Sequence, residues 1–113
     1  MTYRVILQPR AEREIRETAL WIREQAKSPT PALRWARSIR AKIETLKESP
    51  HRCPVDPDSA VYGEEVRVLL FGRRPGVYRI LFAIRGDVVH VLTVRHSARR
   101  SLREAQDEIG GEE

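Results

Sequence analysis

An α+β fold is the class expected for this chain of 113 residues, and three observations predict it. Apolar residues recur at helical spacing in two stretches parted by a proline-marked break. Three runs rich in Val, Ile, Leu and Phe follow, joined by short glycine-bearing connections, and connections of that kind read as hairpins. One further β-favouring run precedes both. The architecture expected is a short N-terminal strand, a two-helix hairpin packed on an antiparallel β-sheet meander, and a short C-terminal helix, in a single domain over residues 1–113.

The first strand is expected at residues 3–7, stopped by Gln8 and Pro9. Pro9 suits the first position of a helix, where a missing N–H is no loss. That helix runs to about Lys27, because Ala11, Ile15, Ala19, Ile22 and Ala26 recur at steps of three and four and build one stripe, with Trp21 beside it. The sequence Ser28-Pro29-Thr30-Pro31 then interrupts the pattern. Thr30 is expected to cap a second helix whose first residue is Pro31, and so tight a break makes the two helices antiparallel. In the second helix Ala32, Trp35, Ala36, Ile39, Ile43 and Leu46 share a face, and Ser49-Pro50 ends it.

Residues 50–61 hold three prolines and no period, so they form a loop from the helices to the meander. The meander comprises residues 66–71, 77–84 and 88–94. In its middle run Tyr78, Ile80, Phe82 and Ile84 lie on one face, which covers the helices, while Arg79 projects from the other, mid-sheet and partly exposed. Ser97 is expected to cap a last helix over residues 98–108, halted by Gly110-Gly111, with residues 109–113 a flexible acidic tail.

Charge and composition narrow the function. With 41% hydrophobic and 33% charged residues the chain is an ordinary small globular domain. Its net charge of +5 and pI near 10.0 suit a nucleic acid, a nucleoprotein or an acidic protein partner. Between positions 64 and 100 there are eight arginines, against Glu64, Glu65 and Asp87. One cysteine, Cys53, excludes an internal disulfide, and histidines scattered at 51, 90 and 96 offer no metal-ligand cluster. No metal or cofactor is expected. The N-terminus lacks a secretory h-region and no apolar run reaches the length of a membrane span, so a cytoplasmic protein is expected. Residues 72–76 lack the spacing of a phosphate-binding loop, and Ser97 beside His96 is no nucleophile–base pair, since strand neighbours face opposite ways.

The segments VILQPRAEREIRE, VYRILFAI and VLTVRHSARR, in that order and spacing, resemble the first strand and helix, the central GYR-type strand and the last strand of the RelE/ParE superfamily of bacterial toxins. The resemblance covers nearly the whole chain. It implies the toxin component of a type II toxin–antitoxin, plasmid-stabilisation system: a growth inhibitor held in a hetero-oligomer by a cognate antitoxin. The His-x-x-Arg ending at His96 and Arg99 and the two long helices favour the ParE-like branch, which implies poisoning of DNA gyrase without catalysis. The alternative is a RelE-like mRNA interferase, a metal-independent endoribonuclease acting with the ribosome on mRNA. A third reading is a basic RNA-binding domain, which the few meander aromatics support poorly.

For cleavage the resemblance supplies Arg79 at the phosphate, with His96 and Arg99 as further catalytic candidates. It departs from the RelE-like pattern where Arg103 stands for the catalytic tyrosine and Ser97 for the preceding arginine. The YoeB-like glutamate base has no clear counterpart. Candidates for contact with target or antitoxin are Arg67, Arg73, Arg74, Arg79, Arg85 and Arg95, with Arg67 expected on the same face as Arg79. An edge arginine and a packing histidine are the plainer readings of Arg67 and His96.

Overall fold

The computed structural model describes residues 2–97. The order is β1 (Arg4–Leu7), α1 (Pro9–Ala26), α2 (Pro29–Glu44), β2 (Arg67–Phe71), β3 (Tyr78–Arg85) and β4 (Val88–His96), with single 3-10 turns between α2 and β2. The expected final helix, its Ser97 cap and the acidic tail reach into residues outside those described.

The four strands form one sheet in the order β1-β4-β3-β2. The meander is antiparallel, as expected. The N-terminal strand joins it as a fourth strand parallel to β4, Arg4 opposite Val88 through Leu7 opposite Val91, so the sheet is mixed. A parallel pair needs a long crossover, and everything from α1 to β3 lies between these two strands.

Pro9 opens α1. The helix ends in a left-handed Lys27 (φ 54°), with the Ser28 N–H reaching back to the Arg23 carbonyl at 3.2 Å and the Lys27 N–H to Glu24 at 3.3 Å, a Schellman-type stop. The cap of α2 differs from expectation. Ser28, not Thr30, is the N-cap, its hydroxyl accepting from the Thr30 N–H at 3.4 Å, and Pro29 begins the helix. The first turn has no intrahelical use for its N–H groups, so it tolerates both Pro29 and Pro31. The other end also differs, with α2 stopping at Glu44 and a 3-10 turn, Thr45–Lys47, completing the run. Arg52 fixes this end by donating to the carbonyls of Glu48 (2.9 Å) and Ser49 (3.2 Å) and to the Thr45 hydroxyl (2.9 Å).

The core lies between the helices and one face of the sheet. Ala11 and Ile15 from α1 and Ile39 and Ile43 from α2 meet Leu69, Tyr78, Ile80, Phe82, Val89, Val91 and Val94. Each large side chain among them contributes about 1.5–3 kcal/mol of burial. The stripe on α1 is buried only over its first half, and Ala26 at its far end is exposed.

Two features were not visible in the sequence. The first is the course of the chain before β2, which folds back along that strand: the Val68 N–H bonds to the Pro54 carbonyl (3.0 Å), the Asp56 N–H to Val66 (2.7 Å), and Val55 bridges Arg67. The Ser59 hydroxyl ties the segment together through Asp56 and both backbone groups of Val66, each at 2.9 Å. Leu81 and Ala83, on the face away from the helices, are buried as well. The second feature is a register shift at Leu81/Phe82, where Leu81 faces Thr93 and Phe82 faces Val91. One extra residue in β4 reverses its inside–outside alternation beyond that point.

Candidate functional site

The register places Arg79 of β3 directly opposite Arg95 of β4, and opposite Leu70 of β2. Cross-strand partners share a face, so these three look away from the helices. Arg79 is partly exposed, as expected, but it is not free. Its guanidinium forms an ion pair with Asp56, whose side chain is 2% exposed against 26% for Arg79. The other Asp56 carboxylate oxygen accepts the Asp58 N–H at 3.0 Å, a local turn that aims the side chain at the sheet.

Like charges directly opposite on one face of a sheet repel, and among the described residues a carboxylate pairs with Arg79 alone of the two. The Arg95 Nε is buried and has no hydrogen-bond partner among the described residues. Tyr62 lies close by. Burial pushes its phenol upward, Arg95 and Arg10 pull it down, and Asp56 and Asp58 push it up again.

The remaining arginines scatter. Arg67 stands opposite Phe82, which puts it on the helix side of the edge strand and corrects the expectation that it lies beside Arg79. There it donates to the carbonyls of Cys53 (2.6 Å) and His51 (3.1 Å) and pairs with Glu65 at 3.0 Å. Arg85 binds the Glu64 carboxylate with two bonds, at 3.0 and 2.6 Å, and that contact holds Glu64 below the usual carboxyl range. Arg73 and Arg74 are exposed in the turn between β2 and β3. Arg99 lies outside the described residues.

His96 is on the other side of the sheet from Arg79. It stands opposite Tyr78, the two rings edge-on with centroids 5.0 Å apart, and Tyr78 in turn packs on Trp35 at 5.1 Å. His96, Tyr78 and Val94 form the floor of a cleft of about 440 Å³ walled by Glu14, Glu17, Thr18 and Trp21 of α1. Glu14 is held at its inner end, accepting from the Thr93 hydroxyl (2.6 Å) and the Val94 N–H (3.1 Å). The β4 shift turns His96 toward the helices and Arg95 toward Arg79.

The sequence reading missed Asp56 and Tyr62. Asp56-Pro57-Asp58 is a readable turn signal, but nothing local says which strand it crosses. Burial lifts the Cys53 thiol, which leaves a protonated, inert side chain. Among the described residues no group of three His, Cys, Asp or Glu is placed to hold a metal ion, and no helix is long and apolar enough to cross a membrane.

The family model described as the ParE toxin of type II toxin-antitoxin system, parDE, matches residues 5–101. The chain belongs to the ParE toxin family. It is accordingly the toxin component of a type II toxin–antitoxin system, and its partner is a cognate antitoxin. A solved structure described as the chromosomal ParDE TA system from P. aeruginosa is similar in fold, with a TM-score of 0.65 at 18% identity, over 84% of this chain and 96% of that one. Comparison with curated proteins gives no match. The α+β class, the helical hairpin and its packing on the sheet of this ParE-family toxin are those the resemblance implied.

Proposed function

We propose that this ParE-family toxin is a cytoplasmic growth inhibitor that poisons DNA gyrase and does not cleave mRNA. The observation that supports this reading is the separation of Arg79 from His96 by the sheet itself. Cleavage of RNA by its own 2′-hydroxyl needs a base, an acid and a cation around one phosphate. Here the strand arginine faces the loop while the histidine faces α1, so no single phosphate reaches both. The RNA-binding alternative has even less support, because Phe71 and Tyr78 both pack against Trp35 and offer no stacking platform for bases.

Controlled expression, with DNA supercoiling and translation followed in parallel, tests the proposal. Loss of supercoiling activity with DNA damage is the expected result. Cuts at the decoding site in a reconstituted ribosome system would transfer the assignment to the mRNA interferase class.

A further inference from the structure

We infer that the loop face of the sheet around Arg79 and Arg95 is a carboxylate-receiving site, completed by an acidic side chain on an apolar segment of the antitoxin. The inference deepens the toxin–antitoxin reading and rests on it. Three observations lead to it.

The first is an imbalance within the rung. Arg79 and Arg95 are directly opposed, yet among the described residues only Arg79 has a carboxylate partner, and the Arg95 Nε is shut from water with no acceptor there. Buried N–H groups without partners are rare, and each calls for a reason. Arg95 as a whole is only partly buried, so a second carboxylate brought to its accessible part would offset the repulsion, as Asp56 already does at Arg79.

The second is the apolar surround. Leu70, across from Arg79, is 58% exposed; Val55 and Val61, next in sequence to Asp56 and Tyr62, are 45% and 47% exposed. Surface of this mixed kind fits an acidic segment with apolar side chains on either side.

The third is charge, and it separates a peptide from a nucleic acid. Asp56 already pairs with Arg79, so the rung carries about one unmatched positive charge and not a run of them. A polyanionic backbone gains from a surplus of exposed cations, which this rung lacks. A single carboxylate placed at Arg95 needs no such surplus.

The test is affinity for the co-expressed antitoxin, measured for the wild-type toxin and for Arg95→Gln, with Arg37→Gln on the exposed side of α2 as the control and thermal melts of each. Arg95→Gln is expected to bind at least about tenfold more weakly, as for removal of one member of a desolvated charge pair, while Arg37→Gln stays within about twofold and all three melt alike. Wild-type binding with Arg95→Gln equally tight overturns the site but leaves the toxin–antitoxin reading standing; failure of the wild type to bind any co-expressed antitoxin overturns that reading itself. Loss of binding to a DNA oligonucleotide by Arg95→Gln, with antitoxin affinity intact, also overturns the inference. Should Arg95→Gln fail to fold, the acidic residues of the antitoxin are neutralised one at a time against wild-type toxin, and the site is refuted if no single neutralisation costs about tenfold.

Discussion

Arg79 shows how far a residue's surroundings change its expected behaviour. Read from strand position alone, Arg79→Ala is a change on a partly exposed surface, worth within about 1 kcal/mol. Its pairing with Asp56 raises that figure, because the substitution strands a carboxylate that is 2% exposed. A cost of about 1–3 kcal/mol is expected in urea titration, below the roughly 3–5 kcal/mol of a fully enclosed pair because Arg79 still touches water. The double variant Asp56→Asn/Arg79→Ala should fall short of the summed single costs by about 1 kcal/mol or more. Strict additivity would show that the pair carries no coupling. Glu12 and Arg40, which join the two helices through bonds at 2.5 and 3.2 Å, give a pH signature instead. The hydrogen bond from Arg40 holds the Glu12 carboxyl below its ordinary 4.5. A depressed carboxyl contributes stability that is present above the ordinary value and lost as pH falls through the folded one. Stability of the wild type should therefore drop more steeply below about pH 4.5 than that of Arg40→Met, and identical acid profiles would contradict the assignment.

At the scale of elements, the turn between β2 and β3 depends on one glycine. Gly72 has φ +100°, and a Cβ added there would stand 2.2 Å from the Gly76 carbonyl oxygen. Neither the backbone angle nor the space admits another residue. Gly72→Ala is expected to destabilise the domain by about 2 kcal/mol or more, read as a lower melting temperature; an unchanged melt would mean that the turn has another conformation in solution. The shift in β4 is a second local device. Pairing with β1 ends at Val91, and Glu14 of α1 takes over as acceptor for the next part of the strand. This is how a helix, and not another strand, closes that part of the edge.

Across the whole molecule the sheet acts as a partition, with the helices over one face and the segment before β2 reaching only part of the other, where Asp56 meets Arg79 and Leu70 stays exposed. Ile80 lies at its centre with no exposed surface, so Ile80→Asp places a charge where water cannot follow and is expected to abolish the folded circular-dichroism signal. A folded Ile80→Asp protein would mean that the facing of β3 is inverted. Much of this plan could be read in advance. The stripes on α1 and α2 recur at helical spacing whatever lies above them, and the period of two in β3 assigns Tyr78, Ile80 and Phe82 to one side, because both patterns follow from backbone geometry alone. Pro9 at the start of α1 is legible for the same local reason. The position of the β4 shift is not, since one extra residue leaves no compositional trace, yet it decides that Arg95 joins Arg79 while His96 turns to α1. The Asp56–Arg79 pair, 23 residues apart in sequence, is equally hidden, as is the helix-side placement of Arg67. The sequence by itself determined which segments are helix and strand, which β3 residues face the helices and that the arginines gather in the meander. Only the tertiary structure decided which of them share a face and which already hold a carboxylate, because register and long-range pairing depend on how distant segments meet and not on the order of residues within any one of them.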